Sequence, residues 1–129
     1  MMKDKNIYWL IAGIWQLGVA VLHLWGGQLT LVDPLLASNL ETQVQAEWLG
    51  AWHMVTLYLF GTGYYLVRMG LQAKPHHQPL AAALGWLMVL MGLPFLGSSL
   101  YLGVLAPQWI LLIPVGLLTL WGNRRFLLK

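Results

Sequence analysis

Residues 7–25, IYWLIAGIWQLGVAVLHLW, form an uncharged apolar run preceded by Lys3 and Lys5. A helix rises ~1.5 Å per residue, so about 20 residues cross the ~30 Å hydrocarbon layer of a bilayer. The stretch therefore reads as a membrane-spanning helix. A charged start followed by an apolar body also describes a secretory signal, but this run has no clean small-x-small cleavage site and is expected to remain as a helix.

Three further runs repeat the pattern at Trp48 to Met69, Leu80 to Leu102 and Leu105 to Trp121. The expected fold is all-α, a bundle of four transmembrane helices in a single domain, 1–129. The fourth run is short and contains Pro107 and Pro114, so a kink or a locally thinned bilayer is expected there. Lys3 and Lys5 precede the first run, Arg68 and Lys74 separate the second from the third, and Arg124, Arg125 and Lys129 follow the fourth. The opposite loops, 26–47 and 103–107, carry no Lys or Arg. Cytoplasmic loops collect these residues, so both termini and the 70–79 loop are predicted to be cytoplasmic, in a bacterial inner membrane.

Composition agrees. Of the 129 residues, 59% are hydrophobic and 9% charged, against roughly 25% charged in soluble domains. The lipid bilayer is the expected partner, with another membrane subunit or a second copy of the chain beside it. The net charge of +3 sits in three short juxtamembrane clusters rather than on one face, so no nucleic acid is expected. Without cysteine the chain can form no disulfide, thiolate metal site, iron–sulfur cluster or CxxCH haem attachment.

The 26–47 loop is chemically distinct. Asp33-Pro34 has the order of an N-cap followed by an N1 proline, which predicts a short interfacial turn over 34–38. Ser38-Asn-Leu-Glu41 matches a capping box, which predicts a helix from about 39 running unbroken past Trp48. Trp25, Trp48, Trp52 and Trp109 near the outer boundary, and Trp9 and Trp121 near the inner one, read as interfacial anchors.

Polar residues inside the runs carry the candidate chemistry, because burying them in lipid is costly. His23 and His53 fall at similar depth near the outer ends of the first two helices. Gln16, Ala20, His23 and Gly27 share one helical face by spacing, as do Leu49, His53, Thr56, Phe60 and Gly63. Ser98, Ser99 and Tyr101 bring the third helix to the same layer. A polar pocket open to the outside is expected there.

Three readings compete for that layer. The side chains are interhelical glue; or His23 and His53 are axial ligands of a b-type haem in a redox subunit; or the layer is a binding or transport pocket in which a histidine titrates. Zinc or copper needs more ligands than two histidines. Di-iron oxygenases and integral metalloproteases need His and carboxylate sets that are not present, and Ser98-Ser99 lacks a GxSxG elbow. His76-His77 fall in the cytoplasmic loop, where exposure is the default. A binding or accessory role is therefore expected ahead of an enzymatic one. Small multidrug transporters share the four-span size but carry a membrane-embedded glutamate on helix one, where this chain has the neutral Gln16.

Gly85, Gly92 and Ser99 recur every seven residues, with Ala81 one turn before Gly85, so a close helix approach is expected along that face. Gly61 and Gly63 predict a similar notch. The segment from about Trp15 to Val67, with Gly26-Gly27, Asp33-Pro34-Leu35-Leu36 and Trp48 to Thr56 as W-x-x-x-W-H-x-x-T, resembles a group of small four-helix bacterial inner-membrane proteins. That resemblance brings no assigned chemistry, and it directs attention to Trp52, His53 and Thr56.

Overall fold

Local capping and small residues account for most of the architecture. The computed structural model describes residues 5–127, with side chains to residue 125; Lys3 and Lys129, two of the flanking charges, lie outside them. The elements are α1 (Ile7–Gly27), a widened π-helical turn (Gln28–Val32), α2 (Asp33–Leu36), α3 (Thr42–Leu71), a 3-10 turn (Pro75–His77), α4 (Gln78–Leu102) and α5 (Gln108–Leu127). The protein is all-helical, with four long helices and no strand among the described residues.

Asn6 starts α1 and anchors it. Its Oδ1 accepts from the backbone of Tyr8 and Trp9 at 3.1 and 3.2 Å, which satisfies two of the N–H groups a helix start leaves open. Its Nδ2 donates to the Gly122 carbonyl at 2.9 Å, and its own N–H donates to the Gly70 carbonyl at 2.9 Å. One residue thus joins the start of α1 to the ends of α3, through its backbone, and α5, through its side chain.

The first helix does not stop at Trp25. It runs on through the π turn into α2, and the Asp33 N–H bonds the Gln28 carbonyl five residues back. Pro34 has no N–H, and its ring crowds the carbonyl four residues earlier in a regular α-helix. The widened turn lies immediately before it, where such bulges relieve the ladder. Gln28 Nε2 closes the same turn onto Asp33 Oδ1 at 2.7 Å. Asp33 is therefore an interior helical residue, not the opening cap that its position before proline suggested.

α3 is unbroken past Trp48, as expected, but it begins at Thr42 and has no side-chain cap. The Ser38 hydroxyl instead donates back to the Leu35 carbonyl at 2.6 Å, closing the end of α2. The capping box does not form. Ser38→Ala should accordingly change stability by less than about 0.5 kcal/mol rather than by the ~1 kcal/mol of a lost N-cap, read from denaturant unfolding in detergent micelles.

Small residues set the helix pairing. In the α1–α3 hairpin a Cβ on Gly13 would lie 2.5 Å from the Val67 backbone nitrogen, and one on Gly70 would lie 2.5 Å from the Leu10 nitrogen. In the α4–α5 hairpin Gly85 and Gly116 meet, with a Cβ on Gly116 falling 2.6 Å from the Gly85 carbonyl oxygen, and Gly92 receives Ile113. The expected close approach along Gly85 and Gly92 is thus present. Gly63 packs on Leu17 as predicted, whereas Gly61 faces open space.

α1 also packs against α5, joining the two hairpins, while no extensive contact joins α3 to α4. At the end that holds the chain termini, all four helices meet in one core of Trp9, Ala12, Leu66, Met69, Met88 and Val115. Trp9 is fully buried there, its Nε1 donating to the Thr119 carbonyl at 3.2 Å. It is a core residue rather than an interfacial anchor, because Gly122 leaves room for its ring. Trp25, Trp48 and Trp121 are exposed.

Two helical stretches, Ile7–Leu36 and Pro75–Leu102, are long and apolar enough to cross a membrane.

Candidate functional site

Toward the other end the helices part around a two-lobed cleft. The inner lobe, of about 380 Å³, lies between Val19 and His23 of α1, Val55 and Leu59 of α3, Met91 of α4 and Leu112 of α5. The outer lobe, of about 670 Å³, reaches Thr30 and Leu35, Trp48 and Ala51, and Leu105 and Ala106 of the α4–α5 connection. Both lobes share His23, Trp52, Phe95 and Gln108. The size is that of a small-molecule site.

His23 and Trp52 form the wall common to both lobes. Their rings stack with centroids 3.8 Å apart and planes 12° from parallel. His23 Nε2 lies 3.4 Å from the Trp52 carbonyl oxygen. A carbonyl only accepts, so in this pairing Nε2 carries the proton and Nδ1 is the free acceptor. The Thr56 hydroxyl donates to the same carbonyl at 3.1 Å. Gly27, one turn beyond His23 on the same face, makes the slot: a Cβ there would collide with Trp52 Cζ2. Helical spacing of four residues thus sets the stacking ring and the vacant position side by side.

The wall is mostly apolar and carries no Asp, Glu, Lys or Arg. Two of its polar atoms, Trp52 Nε1 and Gln108 Oε1, are buried without a partner. The first only donates and the second only accepts, and each unmade bond costs about 1–3 kcal/mol.

The residues singled out from the sequence separate into three groups. His23 and Trp52 line the cleft. Thr56, 6% exposed, supports it from behind through the Trp52 carbonyl. Gln16 is fully buried deeper in the protein, where its Nε2 donates to Thr62 Oγ1 at 3.2 Å and links α1 to α3. Ser99 donates to the Phe95 carbonyl and accepts from the Ala106 N–H at 2.9 Å, so it fastens the α4–α5 connection. Tyr101 is 88% exposed, and His53 is exposed and absent from both lobes.

His53 therefore does not join His23. The packed face of α3 follows Leu49, Trp52, Thr56, Leu59, Gly63 and Leu66, alternating steps of three and four, and His53 sits one residue, ~100°, off Trp52. The inward position predicted for His53 belongs to Trp52. Two imidazoles facing one haem iron do not fit this arrangement, since one is outside the cleft and the other is covered by an indole. Among the described residues no three His, Cys, Asp or Glu side chains converge as a metal site.

Thr30, Phe95, Pro107 and Gln108 were not anticipated. Gln108 is polar at the head of an apolar run, which was the one available signal; the others face the cleft only because of helix packing. His23→Ala should lower stability by about 1 kcal/mol through the lost stack, and His53→Ala should stay within about 0.5 kcal/mol. The double change should be additive, and a coupling above about 0.5 kcal/mol in a thermal-melt cycle would show that the two residues share a site after all.

Comparisons with protein-family models, with curated proteins and with solved structures found no match.

Proposed function

We propose that this chain is a four-span integral membrane protein, with both termini and the 70–79 loop in the cytoplasm, that holds a small ligand in the His23–Trp52 cleft. Its role is binding or accessory. The observation that carries this reading is the cleft itself, a cavity of ligand size walled by all four helices around a stacked His–Trp pair.

The surface supports the bilayer. Leu57, Leu100 and Trp25, on three different helices, are 74%, 77% and 71% exposed, and large apolar side chains turned outward in this way suit lipid better than water. Only 33% and 22% of the most apolar windows of the two long stretches are buried inside the protein, whereas the core helix of a soluble domain is mostly covered. The described cations Lys5, Arg68, Lys74, Arg124 and Arg125 lie at the end of the helices opposite Asp33, Glu41 and Glu47, the polarity that the positive-inside bias requires. The cleft then belongs to the outer leaflet.

Because the chain has no cysteine, single-cysteine variants test both parts without further engineering. Cysteines at Lys74 and Asn39 should be labelled by a membrane-impermeant maleimide from the cytoplasmic and outer sides respectively. A cysteine at Gln108 should react from the outside and be shielded by whatever fills the cleft. Labelling of Lys74→Cys in intact cells would reverse the orientation, and an inert Gln108→Cys would remove the accessible site.

A further inference from the structure

The side of the cleft toward α3 and α4 is not sealed by helix packing. α3 contributes Trp52, Val55 and Leu59 and α4 contributes Met91 and Phe95, yet these two helices make no extensive contact with one another. Phe95 stands at this gap, 37% exposed. The deep lobe beyond it is walled by Val19, Val55, Leu59, Met91 and Leu112. The polar groups, Thr30, Gln108 and the His23–Trp52 pair, gather where the deep lobe meets the wide outer one. The polarity of the cleft is therefore graded, from an uncharged apolar end to a polar shoulder.

We propose that the cleft takes one acyl chain of an outer-leaflet lipid, entering sideways between α3 and α4, with the tail in the deep lobe and the ester region at the His23–Gln108 shoulder. This rests on the ligand-site reading above and on the membrane orientation given there. An occupant that is charged along its length would meet no counter-charge in the wall, and desolvating it there is costly. A rigid polar solute would leave the deep lobe without matching contacts. An acyl chain matches it, is present in the surrounding solvent at high concentration, and carries its acceptor carbonyls at one end, where the amide N–H groups of Gln108 are the donors. The outer lobe, of about 670 Å³, has the volume for the glycerol portion.

The test uses the full chain in nanodiscs of phosphatidylethanolamine and phosphatidylglycerol, part of the latter carrying a diazirine near the end of one acyl chain. After irradiation, labelled positions are mapped by mass spectrometry. Labels are expected on Val55, Leu59, Met91 and Leu112 in addition to outward side chains such as Leu57 and Leu90. Val55→Trp and Met91→Trp fill the deep lobe from opposite walls, and each should reduce labelling of the remaining cleft positions about tenfold while leaving Leu57 and Leu90 unchanged. Using both guards against one variant that fails to fold, which gel filtration would reveal. Labels confined to outward positions, or cleft labels indifferent to both fillings, overturn the proposal. If Gln108→Cys reacts with a polar maleimide while the cleft takes no acyl label, the site stands and its occupant is water-soluble. If neither reagent reaches the cleft, the ligand-site reading falls with it.

Discussion

Gly13→Val is expected to cost about 3 kcal/mol or more of stability, because the new side chain meets backbone rather than a yielding side chain. A Cβ at Gly13 lies 2.5 Å from Val67 N and 2.9 Å from the Gly63 carbonyl oxygen, so α1 and α3 must move apart along their length. In the bilayer setting proposed above, little hydrophobic drive remains between helices, and association depends on close packing. Gly18 is the internal control. It lies on the same helix with nothing within 4 Å of its Cβ position, and Gly18→Val should change stability by less than about 0.5 kcal/mol. Unfolding in mixed micelles, followed by circular dichroism, compares the pair. Equal stability of the two variants would mean that the α1–α3 contact is not as close as described.

Trp52→Ala should have the second largest effect, at about 2 kcal/mol or more. The indole fills the slot over Gly27, stacks on His23 and separates the two lobes, so its removal merges them and frees the imidazole. Near-ultraviolet circular dichroism should lose the signal of a fixed tryptophan. Trp48→Ala, at a residue 63% exposed, should alter that signal much less. A Trp52→Ala variant that melts with the parent would show that the stack contributes no rigidity.

Between these two predictions lies the reason that Gly27 matters more than its neighbour Gly26. Gly26 has open space where a Cβ would go, while Gly27 has an indole. Nothing in the dipeptide distinguishes them. Only the arrival of α3 at that face does.

Helix content, the apolar character of the surface and the pairing faces of Gly85, Gly92 and Gly63 were legible in the amino-acid sequence, because periodicity and residue size act locally and repeat every turn. The inward face of α1, with Gln16, Ala20, His23 and Gly27, was legible for the same reason. The tertiary structure decided what periodicity leaves open. A difference of ~100° places Trp52 inward and His53 outward, and both fit an apolar stripe equally well until a partner helix selects one. Ser38 and Asp33 carry strong capping signatures, yet α1 continues through the π turn into α2, which leaves Asp33 inside the helix, and Ser38 bonds back to Leu35 instead of opening α3. The cleft is farther still from the sequence: it lies where α3 and α4 make no extensive contact, and an unmade contact between distant segments leaves no pattern in either one.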